Sequence, residues 1–70
     1  MEVLIFKTNL VDHAHVSNVQ QFLDQHPGIY RWNVDLNDCD NILRIEALDL
    51  QGLEIEHIIR TAGYQCEELY

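Results

Sequence analysis

Three side chains that can bind a metal ion stand close together near the start of the chain. Asp12, His13 and His15 supply one carboxylate and two imidazoles within four residues. Such ligands suit Zn(II), Ni(II) or Cu(II), whereas Cu(I) prefers thiolates. With open positions for water, they predict a divalent transition metal as cofactor. Asp12 and His15 would hold the ion, and His13 would join them if the loop is flexible.

The same residues also fit a structural role. Asp12 precedes a helical pattern, so its carboxylate is expected to accept a backbone N–H of Ala14 or His15 as an N-cap. His15 would then pack over the first helical turn, and His13 would face solvent. A helix N-terminus carries positive partial charge, which disfavours a cation there. We therefore favour the structural interpretation, with no certain cofactor, and keep the metal site as the alternative.

The two cysteines give little indication of chemistry. Cys39 and Cys66 form no CxxC motif, and two cysteines are too few for a disulfide scaffold. We expect reduced thiols in a cytoplasmic protein. Cys39 is interpreted as an exposed thiol in a turn at the same end of the fold as Asp12 and His15, and Cys66 as a small core residue. No nucleophile–base arrangement and no phosphate-binding glycine loop stands out, so we predict that the protein is not an enzyme.

Composition narrows the range of partners. The chain has 70 residues, 4 Lys and Arg against 12 Asp and Glu, and a net charge of -8. This length predicts one domain over residues 1–70. The excess of acid argues against nucleic acid and anionic membranes, and it favours a basic protein partner. No apolar run approaches the ~20 residues of a membrane span, and no secretory signal is visible.

Hydrophobic periodicity predicts six elements. Residues 3–6 and 29–36 are typical of strands, as are 42–48 and 64–69, while 12–26 and the stripe at Ile55, Ile58, Ile59 and Ala62 predict helices. The order is strand, helix, strand, strand, helix, strand. Two right-handed crossovers then place both helices on one face of a four-stranded antiparallel sheet. The predicted fold class is α+β, a ferredoxin-like βαββαβ sandwich.

Several segments resemble the heavy-metal-associated domain family, which includes the copper chaperones. They are Phe6 to Leu10, Val19 with Leu23, Gly28-Ile29 followed by Trp32 and Val34-Asp35-Leu36, and Ala62-Gly63-Tyr64. The family carries Met-x-Cys-x-x-Cys before its first helix. Here Leu10 occupies the Met position, Asp12 the first Cys position and His15 the second. The resemblance implies the family fold with a degenerate metal loop, and a partner such as a metal transporter.

Strand parity predicts one interaction surface. If Leu4 and Phe6 face the helices, Val3 and Ile5 lie on the open side of the sheet, joined by Ile42 from the third strand. A water-facing sheet normally carries polar residues at such positions. We therefore predict a homodimer through this face. The favoured function is a protein-interaction domain, and the alternative is a protein that binds or carries Zn(II), Ni(II) or Cu(II) through Asp12 and His15.

Overall fold

A computed structural model describes all residues 1–70 and contains the six expected elements. They are β1 (Glu2–Thr8), α1 (His13–Leu23), β2 (Ile29–Asp35), β3 (Ile42–Ala47), α2 (Gly52–Thr61) and β4 (Cys66–Glu68). The strands form one antiparallel sheet in the order β2-β3-β1-β4. This confirms the ferredoxin-like prediction, with β1 and β3 at the centre. Neither helix has the length and apolarity needed to cross a membrane.

The register of the central strands separates the two sides of the sheet. Leu4 pairs with Ile45 and Phe6 with Leu43, and this set faces the helices. The alternate residues of β1 and β3 therefore form the other, open side. The core between sheet and helices holds eleven residues: Phe6, Leu10, Val19, Leu23, Leu43, Ile45, Ala47, Leu50, Ile55, Ile59 and Cys66. Burial of these side chains is the main favourable contribution to folding.

Helix α1 ends earlier than the sequence indicates. It stops at Leu23 rather than at His26, and two turns then lead into β2. Pro27 has no N–H to donate to the carbonyl of Leu23, four residues earlier, and its ring would clash with that carbonyl, so the helix cannot continue to Pro27. The spacing of Val16, Val19, Phe22 and Leu23 in the sequence predicts one apolar helix face. The structure buries Val19 and Leu23 of this face but leaves Phe22 39% exposed.

The end of α2 is a Schellman motif. Gly63 has φ +100°, which a glycine adopts without the steric cost that other residues incur. Its N–H bonds to the carbonyl of Arg60, and the N–H of Tyr64 bonds to the carbonyl of Ile59. Gly63 is thus the residue at which α2 ends. It also shortens the last strand, because Tyr64 belongs to the turn and β4 starts only at Cys66.

Candidate functional site

The loop between β1 and α1 is fixed at both ends of its backbone. Thr8, only 7% exposed, donates its hydroxyl to the carbonyl of Asn41 at 2.6 Å. The same oxygen accepts the N–H of Leu10 at 3.2 Å, and Leu10 is fully buried. The loop that carries Asp12 is thereby anchored to the β2–β3 turn and to the core.

Asp12 is the N-cap of α1, as the sequence predicts. Its backbone is extended, with φ -148° and ψ 175°, and its Oδ1 accepts the N–H of His15 at 2.9 Å. This satisfies one of the free amides in the first turn. The Asp12 carboxylate therefore stabilises the first turn of α1.

The ring of His15 turns back toward the loop. Its Nδ1 accepts the N–H of Val11 at 3.2 Å. A neutral imidazole that accepts at Nδ1 carries its proton on Nε2. A metal ion bound at Nδ1 would displace the Val11 hydrogen bond. A metal ion bound at Nε2 would require the proton to be on Nδ1, and Nδ1 could then no longer accept the Val11 N–H. Either route to a metal ion therefore costs this contact.

Tyr64 closes the side of the loop. Its ring centroid lies 4.9 Å from that of His15, and its hydroxyl accepts a hydrogen bond from Asn18 Nδ2 at 2.7 Å. This hydrogen bond ties the Tyr64 hydroxyl to α1. The His15 ring is consequently held between the loop and the start of the last strand.

The predicted metal ligands do not form one cluster. His13 is exposed as the first residue of α1, and no set of three donors within 4.8 Å includes Asp12, His13 or His15. A three-ligand site at these residues needs side-chain movement. The involvement of Asp12, His13 and His15 in metal binding remains a prediction.

Three other donors do lie within 4.8 Å of one another: Asp38, Cys39 and Asp40 in the β2–β3 turn. The N–H of Thr8 bonds to the carbonyl of Asp40 at 3.2 Å, which places this turn at the end of β1, on the same end as the Asp12 loop. Two of these groups already have partners. Asp38 Oδ1 accepts the N–H of Asp40 at 2.8 Å, and Asp40 lies 3.7 Å from the Lys7 ammonium. Cys39 is exposed, as expected for a turn thiol.

Cys66 is a poor candidate for chemistry. It is 3% exposed within the core, as the sequence indicates. Burial raises the pKa of the Cys66 thiol to about 12, with a further increase from Glu56 that Arg60 opposes. The thiolate is the reactive form, so this thiol is inert near neutral pH.

The open side of the sheet combines apolar and paired charged residues. Val3 is 48% exposed, and Ile5 and Ile42 are half-buried, in the orientation that parity predicts. Leu69 joins them, because its N–H bonds to the carbonyl of Ile5 at 2.8 Å and continues the β1–β4 register. The sequence prediction placed Leu69 in the last strand but did not assign it to the open face, although its alternation with Cys66 indicates that side.

The helix side contains a shallow groove. Two adjoining cavities of about 330 and 370 Å³ share His26, His57 and Ile58. Phe22 and Leu53 line one cavity each, and Leu53 is 71% exposed. Because α1 ends and α2 begins here, the groove lies at the opposite end of the molecule from Asp12. The periodicity of α1 had assigned Phe22 to the core.

The chain matches known proteins by its fold and not by its sequence. No protein-family model and no curated protein matches the chain. A copper-binding domain of a P-type ATPase superposes with a TM-score of 0.86 at 19% identity, covering 100% of this chain and 96% of the other. The chain has the fold of a heavy-metal-associated domain. The yeast copper transporter domain Ccc2a matches at 0.84 with 18% identity, covering 100% and 97%.

The heavy-metal-associated fold also occurs in the first domain of the human copper chaperone for superoxide dismutase. That domain matches with a TM-score of 0.79 and 20% identity, covering 94% of this chain and 89% of the other. These neighbours are metal-binding domains of chaperones and transporters. This chain shares their backbone and has Asp12 and His15 where the resemblance places the two cysteines.

Proposed function

We propose that this protein is a protein-interaction domain in which the metal loop of a heavy-metal-associated scaffold has become a closed helix cap. The observation that carries the proposal is the pair of hydrogen bonds around Asp12 and His15. Asp12 accepts the His15 amide, and His15 accepts the Val11 amide. The groups that correspond to metal ligands are therefore engaged by the protein's own backbone.

The chemistry of the donors supports this proposal. Cu(I) favours soft thiolate ligands, and the loop provides a carboxylate and imidazoles instead. A carboxylate and imidazoles are therefore not the ligands suited to the Cu(I) that the copper-binding neighbours hold. The positive end of α1 also opposes a cation, and Asp12 is the only carboxylate of the loop.

Contact with a second protein is another property found among domains of this fold. One solved neighbour is a domain within the Atx1-Cu(I)-Ccc2a complex, so a domain of this fold engages a second protein there. We infer a similar use of surface here, without Cu(I), in a cytoplasmic and non-enzymatic protein. The net charge of -8 favours a basic partner and a rate of association that falls as salt rises.

The groove on the helix side is suited to such a partner. Its lining includes apolar side chains of Phe22, Leu53 and Ile58, contains no Lys or Arg, and has Glu54 as its charged member. A basic segment with an apolar side chain would bury that side chain in the groove and place a cation near Glu54. We therefore assign to this groove a basic segment with apolar anchors.

Two synthetic peptides of equal positive charge test this assignment. One alternates Lys with Leu and the other Lys with Ser, and each is titrated into isotopically labelled protein. We expect the Lys/Leu peptide to shift the amide resonances around Phe22, Leu53 and His57, and Leu53→Ser to weaken that response. Equal responses to both peptides, or shifts confined to other surfaces, would refute the groove as a docking site.

The alternative function is binding of Zn(II), Ni(II) or Cu(II) through Asp12 and His15. Asp12 retains a second carboxylate oxygen, and His15 can bind if its ring gives up the Val11 amide. Micromolar or tighter binding that disappears in His15→Ala would establish this alternative and a role in metal handling, with a metal transporter as the natural partner.

A further inference from the structure

We propose that the open side of the sheet binds a second copy of this chain. The proposal rests on the proposed function, that the domain acts through protein contacts, and it names a partner for a different surface. The open face is defined here as the outward residues of the four strands with Leu69. Its apolar members are Val3, Ile5, Ile42 and Leu69.

The first argument is the distribution of charge. The charged residues of the open face are Lys7, Arg31, Arg44, Asp35, Glu46 and Glu67, whose charges cancel. The rest of the molecule has Arg60 as its one cation and nine acidic residues, so it carries the whole net charge of -8. Contact between two copies through the remaining surface is opposed by its net negative charge. Contact through the open face is not.

The second argument is that Glu46, the least exposed charged side chain of this face, is already paired. Glu46 Oε2 lies 2.9 Å from Arg31 Nε and 3.2 Å from Arg44 Nη1. The Glu46 side chain is only 17% exposed. Burying this Arg–Glu–Arg cluster beside the apolar strip costs less than burying the same three charges unpaired.

The third argument concerns geometry. Ile5 lies opposite Arg44 on β3, so Ile42 is its diagonal neighbour and Leu69 flanks it from the β4 side. A two-fold axis passing near Ile5 would bring this strip against its own copy, as in an isologous dimer. The molecule measures 28 × 24 × 17 Å, and a two-layer sandwich is thinnest across its layers. The open face can therefore bury at most about 670 Å² per copy, which is less than the ~800 Å² per partner of a standard interface, so we expect a weak dimer.

The salt dependence of association distinguishes this dimer from a complex with a basic partner. Each copy carries a charge of -8, so the long-range force between copies is repulsive and salt screens it. The dimer should strengthen as salt rises. A complex held by opposite charges should weaken.

Sedimentation velocity from tens to hundreds of micromolar, at low and moderate salt, tests the proposal. We expect a monomer–dimer equilibrium that shifts to dimer with concentration and with salt. Ile5→Lys should weaken it about tenfold or more. Leu53→Lys, which adds the same charge on the helix side, is the matched control and should dimerise like the wild type. Val3→Lys provides a second, more exposed test position if Ile5→Lys does not fold.

A monomer throughout the concentration range would overturn the dimer, as would equal association of Ile5→Lys and Leu53→Lys. If the protein is monomeric, the results expected from the peptide titration and the metal titration do not change. Failure of this inference is therefore distinguishable from failure of the proposed function.

Discussion

The Asp12 carboxylate accepts the backbone N–H of His15 at 2.9 Å, and the His15 ring in turn accepts the backbone N–H of Val11 at 3.2 Å. The two bonds form a reciprocal cap at the start of α1, similar in logic to a capping box. They join the two residues that the resemblance places at the positions of the family's cysteines. The backbone at the start of α1 is thus held by side chains of the loop itself.

The first prediction concerns the Asp12 cap. Asp12→Ala removes the acceptor for the His15 amide and should lower the free energy of unfolding by about 1 kcal/mol. Asp12→Asn keeps an acceptor and should retain most of the stability. Urea denaturation of the three proteins measures this. Equal stability of Asp12→Ala and the wild type would show that the cap contributes nothing.

The second prediction concerns Gly63 at the end of α2. Its φ of +100° is unfavourable for a residue with a Cβ, although no neighbouring atom lies within 4 Å of that position. Gly63→Ala should therefore cost about 1 kcal/mol through backbone strain alone. Thr61→Ala, an exposed neighbour in the helix, is the control and should change stability little. Thermal unfolding of both variants checks the difference, and a neutral Gly63→Ala would contradict it.

The fold was predictable from the sequence because its signals are local and agree with one another. The spacing of Val19 and Leu23 predicts a helix, and the alternation from Tyr30 to Leu36 predicts a strand. The handedness of the crossovers then leaves one arrangement for the sheet.

Details that depend on side-chain direction were not predictable. Spacing places His15 in the first turn but does not indicate that its ring turns back to Val11. Phe22 has the right period for the core, yet it lies at the edge of the stripe formed by Val19 and Leu23 and stays 39% exposed.

The third prediction concerns thiol reactivity. Cys39 is exposed and Cys66 is buried, with the pKa of the Cys66 thiol raised to about 12. Near pH 8 an aromatic disulfide reagent should modify one thiol per native chain and both after unfolding. Cys39→Ser should show no rapid native reaction. Rapid modification of Cys66 in that variant would contradict the burial.

The fourth prediction follows from the same thiol. The pKa of Cys66 rises from 9.0 in the unfolded reference to about 12 in the folded protein, so the native state holds the proton more tightly. Stability from this group is complete below pH 9 and is lost as pH rises toward 12. The loss of unfolding free energy above pH 9 should be smaller in Cys66→Ala than in the wild type. Parallel pH profiles of the two proteins would contradict this assignment.

Calorimetric titration with Zn(II), Ni(II) and Cu(II) at neutral pH tests the central claim, that the former metal loop is a closed helix cap. Wild type, His15→Ala and a Cys39→Ser control are titrated in parallel. We predict no binding of micromolar or tighter affinity at the Asp12 loop, and hence no heat that His15→Ala removes. Micromolar binding that is lost in His15→Ala and retained in Cys39→Ser would contradict the claim and establish a metal site at Asp12 and His15.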